Sequence, residues 1–250
     1  MKKMLLFFCL LLLANMGIPS SPWAEENPFF DAIIKGDLKT VQDFLAKGVD
    51  VNAPLVVKGV KLYPLNAAMT RGNVEIVKLF IEKGGDVNRV TNESKITILM
   101  IAAESKPGEI IRMLLDKGAK INAVNDQNST ALHGGAYKGN LEAVKVLLDR
   151  GVDTKVINFK GTALHMAALG NQPKMIEMLL EKGFDINQPG KNGLTPLMVA
   201  AASNKVDAVK MLLKKNADIT IKSPKTALAL ATEEKAKEVI NLLTAAGAKE

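Results

Sequence analysis

Apolar residues recur along this chain in short bursts of helical spacing rather than in one long stretch. In LEAVKVLLDRG, residues 141 to 151, Leu141, Val144, Leu147 and Leu148 fall three or four positions apart. That spacing predicts a helix with one buried stripe. VEIVKLFIEKG, residues 74 to 84, has the same pattern. Ahead of each such helix lies a shorter, alanine-rich run. Aligned, these runs read NPFFDAIIKGD, YPLNAAMTRGN, TILMIAAESKP, TALHGGAYKGN, TALHMAALGNQ, TPLMVAAASNK and TALALATEEKA. They begin at Asn27, Tyr63, Thr97, Thr130, Thr162, Thr195 and Thr226, with offsets of 36, 34, 33, 32, 33 and 31 residues. Self-similarity at this period signals a stacked array of helical units.

Local chemistry agrees with the period. A threonine at a helix start can accept from free backbone N–H groups. Pairs such as Ala102-Ala103 and Ala167-Ala168 let helices approach closely. Gly48, Gly84, Gly118, Gly151, Gly183 and Gly247 follow the second helices, where a left-handed residue ends a helix, and Asn216 takes that place in the sixth unit. NDQNS and PGKNGL, at 125 to 129 and 189 to 194, predict tight turns between units.

On these residues the chain resembles the ankyrin-repeat family, whose unit is about 33 residues with a T-P-L-H-x-A core. The resemblance runs from residue 27 to about 248. It implies an all-α solenoid of about seven helix–turn–helix repeats with short β-hairpin turns, filling residues 25–250. Proline stands at the second core position only in Pro28, Pro64 and Pro196, and the third unit replaces Gly-Asn with Lys106-Pro107. His133 and His165, the chain's two histidines, occupy the T-x-L-H slot. There the resemblance implies an imidazole that bridges the turns of adjacent repeats.

Residues 1–24 differ from all this. MKK precedes an apolar run from Met4 to Ala14 and a small-residue stretch ending at Ala24. This is the arrangement of a secretory signal peptide, and it is shorter than the roughly 20 apolar residues of a spanning helix. Pro22 departs from the small residues favoured before cleavage, and an uncleaved anchor is the alternative. Cleavage removes Cys9, the single cysteine, and with it any disulfide or thiolate chemistry. It also removes Lys2 and Lys3, two of 33 basic residues, so the formal charge falls from +7 to +5. The remaining lysines are scattered, without the basic block and interleaved aromatics of a nucleic-acid binder. Aromatics at 4% argue against a large aromatic-lined cofactor pocket.

No phosphate-binding glycine motif follows a strand. Two histidines without cysteine form a thin metal-ligand set. Gly134-Gly135 therefore read as close-packing positions. Recognition is expected on the concave face of the solenoid, which the resemblance places on the turn tips and the solvent side of the first helices. Those positions hold Leu62, Ile96, Arg71, Glu104, Tyr137, Lys138, Phe159 and Leu169. Tyrosine is enriched among interface hot spots, so Tyr137 leads; Phe159 either stands free or folds back over its own turn. The longest linker, APLVVKGVKLY at 53 to 63, either projects Val56, Val57 and Val60 or packs them on the first repeat. The terminal units carry polar outer faces, as caps do.

The expected function is a non-catalytic protein-binding scaffold, periplasmic or secreted, monomeric and without cofactor or nucleic acid. It would meet a membrane only through an uncleaved leader. A secreted effector that binds a host protein is the alternative, and an enzyme or small-ligand binder is the third class.

Overall fold

The computed structural model describes residues 27–57, 60–90 and 94–249; the leader and the Lys58-Gly59 tip lie outside the described residues. The described residues form seven antiparallel helix pairs. They are α1 (Pro28–Lys35) with α2 (Leu38–Ala46), α3 (Pro64–Arg71) with α4 (Val74–Glu82), α5 (Ile98–Ser105) with α6 (Gly108–Asp116), α7 (Ala131–Lys138) with α8 (Leu141–Asp149), α9 (Ala163–Leu169) with α10 (Pro173–Glu181), α11 (Pro196–Ala202) with α12 (Val206–Lys214), and α13 (Ala227–Glu233) with α14 (Lys237–Ala245). Strands β1 (Leu55–Val57) and β2 (Val60–Leu62) pair antiparallel between the first two units.

Each helix begins and ends for a local reason. Thr97 and Thr226 accept from the N–H groups of Met100 and Ala229, both at 3.2 Å. Asn73 and Asn140 do the same for the second helices that follow them. Gly84 and Gly118 adopt φ +82°, and Asn216 adopts φ +61°, which closes the second helices as expected.

First helices stack on first helices and second helices on second. The core runs the length of the stack, from Phe29 and Phe80 through Ile110, Leu147 and Leu179 to Leu243. An asparagine ladder ties the units together on their turn side. Asn52 accepts from the Asp86 N–H at 2.7 Å and donates to the Gly84 carbonyl at 3.0 Å. Asn88 repeats both bonds to Lys120 and Gly118, while Asn122 and Asn187 accept from Asp153 and Asp218. Ion pairs join successive second helices: Lys78–Glu109 at 3.0 Å, Arg150–Asp116 at 2.8 Å, Lys215–Glu177 and Lys210–Glu238 both at 2.9 Å.

The junction of the fourth and fifth units departs from this scheme. Lys155 stands in the ladder position held by asparagine at Asn52, Asn88, Asn122 and Asn187 and by Thr220 in the sixth unit. Among the described residues no ion pair joins α8 to α10, as none joins α2 to α4, but α8 and α10 touch least of all consecutive second helices. Their first helices, α7 and α9, pack closely instead. A Cβ on Gly170 would fall 2.0 Å from the Tyr137 carbonyl oxygen. This junction is stitched on one side only.

The structure decides two details of the turns. Val57 is buried and only Val56, at 54% exposure, projects, because successive strand residues point to opposite faces; the Val60 side chain is not described. Among the described residues β pairing is confined to the first hairpin and a single bridge, Val90 to Thr97. The next two tips are held by side chains: Asn125 accepts from Gln127 and Ser129, and Asn158 accepts from Lys160 and Gly161.

Candidate partner-binding face

The two histidines are structural. In each, Nδ1 accepts from the backbone N–H of the threonine that starts its helix, at 3.2 Å from Thr130 and 3.1 Å from Thr162. The threonine hydroxyls lie 2.9 Å from the same nitrogens. An accepting Nδ1 assigns the proton to Nε2. His165 Nε2 then donates to the Leu194 carbonyl at 3.0 Å, which bridges to the next turn. His133 Nε2 faces the backbone of Val156 and Gly161 in the next unit, but no bond of good geometry forms. Burial lowers both imidazole pKa values, that of His133 to about 4. Asn66 fills the same slot in the second unit, and its amide atoms are buried without partners among the described residues.

Gly134 and Gly135 are close-packing positions. A Cβ on Gly135 would meet Val144 Cγ2 at 2.9 Å, and one on Gly134 would meet Glu104 Cγ at 3.2 Å. Glu104 is exposed along much of its length, yet its carboxyl lies across the bare backbone of Gly134. That shielding raises its pKa, and Lys138 partly offsets the rise.

Tyr137 and Lys138 close α7 on its solvent side. Tyr137 is 38% exposed, and the Lys138 ammonium lies 5.6 Å from its ring centre. Phe159 stands one unit on and does not fold back: it is 48% exposed, with the Lys160 ammonium 5.4 Å from its ring. The reason is local. Asn158 is fully buried and spends its oxygen on Lys160 and Gly161 and its amide on Ser129 Oγ at 2.9 Å. The turn is thereby locked with its next two side chains outward. Leu169, at the end of α9, is half-buried beside them in sequence register.

The remaining candidates divide. Arg71 is half-buried in the last turn of α3. Leu62 and Ile96 are half-buried and pack in part against the core, so they offer less to this face than Tyr137 and Phe159 do. Sequence reasoning passed over Val90 and Val124, at 43% and 42% exposure. With Val56 they occupy one slot, six or seven residues before a repeat start, in three consecutive turns. Recurrence of an exposed valine at that slot was the available signal. Among the described residues no group of three His, Cys, Asp or Glu could hold a metal ion, and no helix is long and apolar enough to cross a membrane.

Comparison with known proteins matches this geometry. The family model "Ankyrin repeats (3 copies)" matches residues 29–125, 64–158, 120–190 and 187–250. The human ASB11 ankyrin repeat domain superposes with a TM-score of 0.75 at 26% identity, covering 90% of this chain and 99% of that one. A palmitoyltransferase-type protein of Danio rerio, putative ZDHHC13, is 33% identical over 114 residues, 45% of this chain and 18% of its own. The human transient receptor potential cation channel subfamily A member 1 is 37% identical over 79 residues, 31% of this chain and 7% of its own. The human Notch-regulated ankyrin repeat-containing protein is 40% identical over 57 residues, 22% of this chain and 50% of its own. The matches thus span half or less of each curated relative.

Proposed function

Because the chain belongs to the ankyrin-repeat family, whose members serve generally as non-catalytic protein-binding scaffolds, we propose that it binds a protein partner through its concave face. The observation that carries this reading is the pair Tyr137 and Phe159, both exposed, in adjacent units at the middle of the stack. Exposed large aromatics, one of them held outward by buried Asn158, suit an interface, where truncating an aromatic anchor costs about 2 kcal/mol or more. Export from the cytoplasm belongs to the same proposal: residues 1–24 would direct the chain to the periplasm or the medium, leaving a scaffold without cysteine.

Affinity capture tests it. The chain and a Tyr137→Glu, Phe159→Glu variant serve as parallel baits in an envelope extract. A partner held by the first and weakened at least about tenfold by the second is the expected result. Equal retention by both would move the binding face elsewhere. The intact mass of the protein from its native host checks export, since cleavage after Ala24 removes Trp23, the single tryptophan.

A further inference from the structure

We infer that the segment this face takes is an acidic, partly apolar stretch of polypeptide in extended form. The inference rests on the proposed concave-face reading and adds the chemistry of the partner. It begins with a difference between the two sides of the stack. On the second helices, four cations are matched by carboxylates one unit away, although others such as Lys145 and Lys174 are not. On the turn tips of the last three units the pattern is different. Lys160, Lys191 and Lys222 recur at 31-residue intervals, all exposed, and none has a carboxylate within ion-pair distance among the described residues. Lys138 is likewise unpaired, with Glu104 shielded nearby.

At Lys160, Lys191 and Lys222 the tips thus carry exposed cations that no carboxylate among the described residues pairs. Exposed like charges in a row repel one another and raise the local potential, which favours an acidic partner over a neutral or basic one. Lys138 and Lys160 adjoin Tyr137 and Phe159, so the N-terminal end of the row offers apolar anchors beside its cations. Asp126 and Glu104 interrupt the row on the N-terminal side. A polyphosphate backbone carries charge at every step and would meet them unfavourably, whereas a polypeptide can vary its residues to suit.

Spacing sets the register. Neighbouring packed helices lie about 8–10 Å apart. An extended chain rises about 3.3 Å per residue. One unit of the stack thus corresponds to about three residues, and successive tip lysines call for Asp or Glu at every third position. An apolar or aromatic residue is expected one unit toward the N-terminus, against Phe159 and Tyr137.

The test is panning of a random dodecapeptide display library on the chain, followed by affinities of the selected peptides. Three variants accompany it: the triple Lys160→Glu, Lys191→Glu, Lys222→Glu; the same three as Lys→Gln; and Tyr137→Glu with Phe159→Glu. Circular dichroism confirms that each variant keeps its helices. The selected peptides should be acidic at three-residue spacing with an apolar residue on one flank. Their affinity should fall at least about tenfold on the Lys→Glu variant, less on the Lys→Gln variant, and again as salt rises from about 0.05 to 0.5 M. Neutral or basic peptides that are lost on the aromatic variant would overturn the acidic partner and leave the concave face standing. Peptides indifferent to all three variants would overturn both. Failure to enrich any peptide, or tighter binding of duplex DNA or phosphatidylglycerol vesicles than of the selected peptides, would also sink the inference.

Discussion

At the scale of single residues, two positions combine structure with a measurable consequence. His133 is buried and neutral, with its pKa lowered to about 4 from 6.5. Protonation then favours the unfolded chain, so the stabilisation is fully present above pH 6.5 and is lost as pH falls through that window toward 4. One pKa unit corresponds to about 1.4 kcal/mol, so His133 contributes acid sensitivity on the order of 3 kcal/mol. Urea unfolding at pH 7 and pH 4.5, compared between the chain and a His133→Gln variant, isolates it from the carboxylates. The variant should lose less stability on acidification, and an equal loss would contradict the assignment. Gly170 is the second position. It has ordinary right-handed helical geometry, yet the Tyr137 carbonyl leaves no room for a Cβ. Gly170→Ala should cost about 1–3 kcal/mol by forcing α7 and α9 apart, read as a lower urea midpoint. It should also disturb Tyr137, so partner binding weakens beyond what lost stability explains.

At the scale of elements, the turn-side ladder offers a gain rather than a loss. The Lys155 N–H donates to Asp153 at 2.9 Å, the same local bond that orients Asn52 and Asn88 against Asp50 and Asp86. The backbone is thus already shaped for an asparagine. Lys155→Asn should form the missing bonds to the next unit and stabilise by about 1 kcal/mol, seen as a raised urea midpoint; no change would mean the units are set too far apart there. Much of this level was legible in the sequence. The left-handed glycines, the threonine caps and the seven helix pairs follow from local patterns that tertiary packing has no reason to override. The facing of Val57, Leu62 and Ile96 was not, because a short apolar turn segment reads the same whether it covers the core or meets solvent. Only the strand alternation and the stacked neighbours decide. Phe159 was open for a similar reason: its outward pose depends on Asn158 bonding to Ser129 in another unit.

For the whole molecule, the one-sided junction divides four units from three. Stability in a repeat array is close to a sum of unit and nearest-neighbour interface contributions. A weaker interface in the middle should therefore let the two blocks unfold separately. Hydrogen exchange in rising urea is expected to show α1 to α8 and α9 to α14 losing protection at different midpoints, drawn together by Lys155→Asn; one shared midpoint in the original chain would refute the division. The same junction lies under Tyr137, Phe159 and Leu169. With the first helices joined and the second helices barely touching, the stack has a compliant joint whose pivot runs along its inner wall. Curvature then becomes an adjustable quantity set by one joint, so a guest bulkier or slimmer than the resting groove can be gripped without straining the other five seams.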